Sequence, residues 1–450
     1  MKIRRRFSIR RKSGLTRSLK LLFLASILFL LLMMFASSCA ALDSFDLLLS
    51  GETAGDPDAE EGDSPEISAD DIQPTPTIQL SRDLIVWMPP QFAPGDGSLD
   101  REMMGEQIQA FIDSHSQTAV DVRVKSETGD SSLINSLVLT AAAAPDALPT
   151  AILLPGSDLE KAVQNGLVRA LDARELDGDW YPIAVDIAKL DSVLYGLPAA
   201  VDAVVMVKKA GSVDAGYVPM EYAVGLADSF AFPAGSANTL IPFILYQSGG
   251  GSFQDEFGEI TLDEEILLDA FSRIDFFGRN RLFTEDLVNL NSEGDAWSEF
   301  ASGNYESIFT WASRPLTDRE SYSLLHFPGL GEEPYTYGKG WVWCLVEQDD
   351  LNEDLGLAFI DHMTEKEFMN AWTLESHYLP ARSSSLTGMD QFSQEKIREI
   401  LNSAVEIPLE DILKTLKGDI INNMQDLLLD EKSPQKALED VTSGLTGENE

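Results

Sequence analysis

Apolar and polar positions fall into a repeating order once the chain passes residue 82. Residues 83–87 (DLIVW) form a short apolar run stopped by Pro89-Pro90, the pattern of a buried strand. Residues 99–115 place Met103, Ile108, Phe111 and Ile112 on one face of a helix. Residues 120–124 (VDVRV) alternate as a second strand, and 132–144 form a second helix ended by Pro145-Asp146. A third strand at 151–154 stops at Pro155-Gly156, and a third helix at 158–165 has Gly166 as its C-cap. Strand and helix alternating three times predict a doubly wound parallel sheet. Such sheets bind ligands beyond the carboxyl ends of their strands, where Trp87 and the Pro155 turn stand.

The pattern loosens over 168–190. Tyr195-Gly196-Leu197-Pro198 then reads as a turn, and 203–207 (AVVMV) as a strand buried on both faces. Asp202 lies between them. A carboxylate entering apolar surroundings needs a protein partner, a ligand or water, and all three remain open at this point. Residues 230–233 suggest a strand, and 243–247 lead through Gln247 into Ser248-Gly249-Gly250-Gly251. Residues 262–277 form a strongly amphipathic helix with Gly278 as its cap. Strands follow at 307–310, with Trp311 just beyond, at 323–327, and at 341–346. Helices follow at 355–362, 366–374, 395–403, 409–429 and 434–441, with Leu379-Pro380-Ala381-Arg382 as a turn.

At 450 residues the chain exceeds one typical core, so two or more domains are expected. Its 33 Lys and Arg stand against 74 Asp and Glu. Nine of the basic residues fall in the first twenty, leaving a body that repels phosphate backbones and anionic head groups. Nucleic-acid binding is excluded. The basic start precedes an apolar run at 21–35 and then Ala36-Ser37-Ser38-Cys39, the parts of a secretory signal. A cysteine after small residues resembles a bacterial lipobox. On that resemblance residues 1–38 are a signal peptide and Cys39 is lipidated, tethering the exported chain to the outer face of the cytoplasmic membrane. Residues 39–81 are acidic and rich in Gly, Pro, Ser and Thr, an expected disordered stalk. Cys344, between Trp343 and Leu345, reads as a buried structural thiol.

No G-x-S-x-G, HExxH, P-loop, GxGxxG or CxxC motif occurs, and the four histidines show no metal-ligand spacing. A non-enzymatic chain without cofactor or metal is expected. The order of elements resembles the bacterial extracellular solute-binding proteins of the maltose-binding type, receptors of ABC importers. The resemblance is carried by the lipobox, DLIVWMP, AAAAPDALP, NGLVRALD, LYGLPAAVDAVVMV, SGGGSFQDEFGEITLD, WSEFASGNYESIFTW, FIDHMTEKEFMNAW with YLPARSS, and SPQKALED. The chain departs from the family at Val207-Lys208 and between Tyr217 and Ser236.

The resemblance implies two doubly wound α/β lobes joined by hinge strands: 82–201 plus 307–340, and 204–306 plus 341–445. It implies a monomer that closes a cleft over one small solute, a sugar or oligosaccharide, and passes it to a permease. A sensory lipoprotein, or a receptor for a peptide or polyamine, is the alternative. Sugars present apolar C–H faces and a rim of hydroxyls, so aromatic platforms and polar partners mark their sites. Trp87, Trp311 and Trp341 are the candidate platforms, with core packing as the competing role for each. Asp202, Gln247 and Arg382 are the candidate hydroxyl partners; Arg382 equally fits a helix cap or an ion pair.

Overall fold

The computed structural model describes residues 82–447, except 172–175, 212–215, 226, 228, 348–351 and 409. The signal, Cys39 and the stalk lie outside the described residues. None of the described helices is long and apolar enough to cross a membrane.

The opening alternation is realised as β1 (Arg82–Met88), α1 (Leu99–Ser114), β2 (Thr118–Val124), α2 (Leu133–Ala143), β3 (Ala151–Pro155) and α3 (Leu159–Gln164). Strand β1 pairs in parallel with β2 and with β3. Ser132 caps α2, its hydroxyl accepting from the Asn135 amide at 3.3 Å, which satisfies one otherwise orphaned N–H. Gly166 ends the α3 turn at φ +64°.

Strand β4 (Gly196–Lys209) is fourteen residues long and ties the molecule together. The expected turn at 195–198 is absent, because Gly196 and Pro198 are already inside this strand. Proline lacks a ladder donor, and the register absorbs it: Trp341 pairs with Ala200 but Val342 pairs with Pro198, so Ala199 is bulged out. The first part of β4 pairs antiparallel with β8 (Thr336–Leu345). Its last residues pair instead with β6 (Ser307–Trp311) and β7 (Tyr322–Leu325), and β5 (Phe230–Ala231) lies along β6. Strand β8 also pairs antiparallel with β3, so the sheet is mixed: the crossing strands run against the parallel opening set. Residues 307–311 and 322–325 pair with the distal part of β4, and 341–345 pair with β3.

Helix α6 (Glu293–Ala301) packs on β6 and β5, while α4 (Ile241–Ser248), α5 (Glu264–Arg279) and the closing α11 (Glu410–Leu428) and α12 (Pro434–Gly447) pack on one another. Helices α8 (Glu353–Met363) and α9 (Lys366–Ser376) instead pack against α1. Gly278 lies within α5 rather than capping it; Asn280 is the C-cap, and Gly278 approaches the end of α11. Cys344 is fully buried, and burial pushes its thiol well above the usual range. Gly340 is required by close approach: a Cβ there would lie 2.1 Å from Ile187 Cδ1 and 2.6 Å from the Ala200 carbonyl. Lys339 and Trp341 flank it on β8.

Candidate functional site

The site grows from the point where β4 leaves one set of partners for the other. Asp202 is 1% exposed there and is saturated by protein donors: the Ser313 amide at 3.0 Å, the Ser313 hydroxyl at 2.7 Å and the Ala203 amide at 3.0 Å. Burial raises its pKa, opposed by Lys339 and by the Ser313 bonds. Its sequence-level ambiguity thus resolves toward protein partners. Asp202 anchors the one-turn helix α7 (Ser313–Leu316) that follows Trp311.

Trp311 closes β6 and is half-buried. A cavity of about 390 Å³ on one side takes Gln91 and Asp100 from the first segment, Arg314 and Thr317 from the turn after Trp311, and His377 and Tyr378 from beyond α9. A second, of about 330 Å³, is lined by Asn238, Thr239, Leu240, Ile407 and Lys417. Trp311, Thr310 and Glu293 line both, so the indole borders two chambers. Both volumes fall within the ~300–1,000 Å³ typical of small-molecule sites. Thr239 is 2% exposed and its hydroxyl has no hydrogen-bond partner, a polar group held ready on the second wall.

Glu293 is placed by capping. Ser292 accepts from the Asp295 amide at 3.1 Å, starting α6 with Glu293 at its first position, where the helix dipole favours an anion. Its carboxylate accepts from the Thr310 hydroxyl at 3.1 Å. The side chain is open at the chamber mouths yet walled by protein, and loss of bulk water raises its pKa against the pull of Thr310 and Lys339. Lys339, opposite Asp202 in the ladder, puts its ammonium 3.9 Å from the Trp311 ring centroid and 5.8 Å from that of Trp341.

The other candidates disperse. Trp341 is 4% exposed, donates its indole N–H to Glu127, and packs among Phe92 and Tyr378. Gln91 donates to the same Glu127 oxygen at 2.6 Å. Trp87 is 2% exposed beneath Lys125, with its indole N–H unpartnered. Gln247 accepts from the Tyr337 hydroxyl, and Arg382 lies over Trp180 and pairs with Asp177 at 3.2 Å and Asp179 at 3.6 Å. Neither lines a chamber. The reading from sequence did not reach Glu293, Thr239, Tyr378 or Lys339. Only Lys339 left a signal, a lone charge inside the apolar run of β8.

Among the described residues no group of His, Cys, Asp and Glu is arranged to hold a metal ion. The fold is that of solved sugar receptors. The maltose-binding periplasmic protein MalE from Listeria monocytogenes, in complex with maltose, matches with a TM-score of 0.65 at 14% identity, covering 81% of this chain and 97% of that one. A cyclo/maltodextrin-binding protein complexed with maltotetraose matches at 0.63 and 17%, covering 81% and 97%. The GacH receptor of Streptomyces glaucescens GLA.O, solved unliganded and with acarbose, matches at 0.60 and 17%, covering 82% and 98%. No curated protein matches by sequence. The profile of the bacterial extracellular solute-binding proteins matches residues 108–399, and the chain belongs to that family.

Proposed function

We propose that the chain captures a sugar or oligosaccharide in the paired chambers around Trp311 and delivers it to an ABC-type permease. The observation that carries this is the indole itself, half-buried and bordering two chambers whose largely apolar walls carry a few polar groups. An aromatic face suits the C–H face of a pyranose, and Thr239, Asn238, Gln91 and Glu293 supply donors and acceptors for hydroxyls. Two chambers suit a ligand of more than one ring. The structural neighbours bind maltose, maltotetraose and acarbose, which supports the same class here.

The role is binding and release, without chemistry on the solute. We place one lobe at 82–201 with 336–406 and the other at 204–325 with 410–447, following the strand pairing. Lipidation at Cys39 would hold this body at the membrane on the acidic stalk 39–81. Thermal-shift measurement against mono- and oligosaccharides, polyols, peptides and polyamines tests the reading. A solute that binds the folded state raises its melting temperature by linkage. Saccharides are expected to give the shift; a shift from peptides or polyamines alone overturns the sugar assignment.

A further inference from the structure

We infer that Lys339 sets the ligand class of the cleft, and that the preferred solute is a saccharide carrying a carboxylate. This rests on the sugar reading above. Many of the chain's cations are engaged by its abundant acids: Arg169 meets Glu347 and Glu353, Arg279 meets Asp275, Arg382 meets Asp177, and Lys432 meets Asp426 and Asp440. With 74 acidic residues to 33 basic ones, such pairing is the default.

Lys339 departs from it. Among the described residues no carboxylate oxygen comes within 4.0 Å of its ammonium and none accepts a hydrogen bond from it. Asp202 faces it across the ladder but is already filled by Ser313 and Ala203. The ammonium rests on the Trp311 indole instead, at 3.9 Å from the centroid. Arg314, on the wall of the first chamber, behaves alike: its guanidinium lies 5.2 Å from the Trp297 centroid, with no carboxylate among the described residues within 4.0 Å.

A cation held on a π face keeps its N–H donors for something else. A carboxylate is the acceptor that exceeds that hold, because charge-assisted hydrogen bonds are about twice as strong as neutral ones. A ligand with a carboxylate beside its pyranose face therefore draws Lys339 off the ring while the ring takes the sugar. Asp100 and Glu293 are the opposing charges in the first chamber.

The test compares matched pairs by thermal shift and calorimetry: D-glucose with D-glucuronate, D-galactose with D-galacturonate, and neutral disaccharides with their uronic-acid counterparts. The carboxylated member of a pair is expected to bind about tenfold tighter at low salt, with the margin narrowing as salt screens the charge. Lys339→Met brings that ratio near one while Lys339→Arg keeps it, which separates charge from folding. A ratio near one in the unaltered chain, or one that survives Lys339→Met, overturns the inference. Sugar binding without discrimination leaves the proposed function standing; no response from any member takes both down.

Discussion

Trp87 and Trp311 each stand near the carboxyl end of a strand with a lysine ammonium over the indole, yet their surroundings are opposite. Trp87 lies inside the sheet, held in register by Arg123 on one neighbour and Ile152 on the other, and almost no surface reaches solvent. After β1 the chain turns at Pro89 and buries Phe92 among Trp341, Trp372 and Tyr378. After β6 it makes a single helical turn pinned to Asp202 and leaves two cavities beside the ring. An indole beside a cavity can exchange water for a ligand. An indole in a close-packed core has no such exchange to make.

That contrast can be broken by mutation. The largest effect is expected from Trp87→Ala, which removes a core ring and costs about 3–5 kcal/mol of stability in a denaturant melt. Trp311→Ala is expected to leave the melt of the free protein nearly unchanged while weakening solute binding by about 2–3 kcal/mol, roughly 30- to 150-fold, by calorimetry. Equal losses of affinity from both would erase the distinction. Asp202→Asn puts an amide against groups that donate to it and should cost about 1–3 kcal/mol in a urea titration. Wild-type stability in Asp202→Asn would show that α7 is not anchored there.

The smallest effect sharpens the picture at the end of β9 (Ala404–Glu406), beside β8. Partial burial, then the like charges of Asp186 and Glu160, raise Glu406 from an ordinary 4.5 to about 7. The folded state therefore holds a proton that the unfolded chain releases. Stability from this group is complete below pH 4.5 and is lost as pH rises through 7. Glu406→Gln should flatten that limb of the pH–stability curve, by under about 1 kcal/mol because the side chain is open to screening water. An unchanged limb would remove Glu406 as its source.

The opening β–α alternation was legible because each element carries its own punctuation: Pro89-Pro90, Pro145, Pro155 and Gly166 mark ends that the coordinates keep within a residue or two. The misreading at Pro198 has a long-range cause. Only the bulge against Trp341 and Val342 makes proline acceptable in that strand, and the partner lies more than a hundred residues away. The same holds for the strand partners of 307–325 and 341–345, which local pattern does not reveal. Of the site, Trp311 was legible as an aromatic at a strand end. Thr239, Glu293 and Tyr378 come from separate segments, and nothing in their own neighbourhoods announces that they meet.

One continuous ribbon, β4, supplies hydrogen bonds to β8 at one end and to β6 and β7 at the other, without a break between Gly196 and Lys209. Melting either side must strip partners from a backbone that the other side still needs. Heating should then give a single calorimetric endotherm, with its enthalpy matching the van't Hoff value, rather than two separated steps. The architecture couples the fates of the two groups of strands that this ribbon joins.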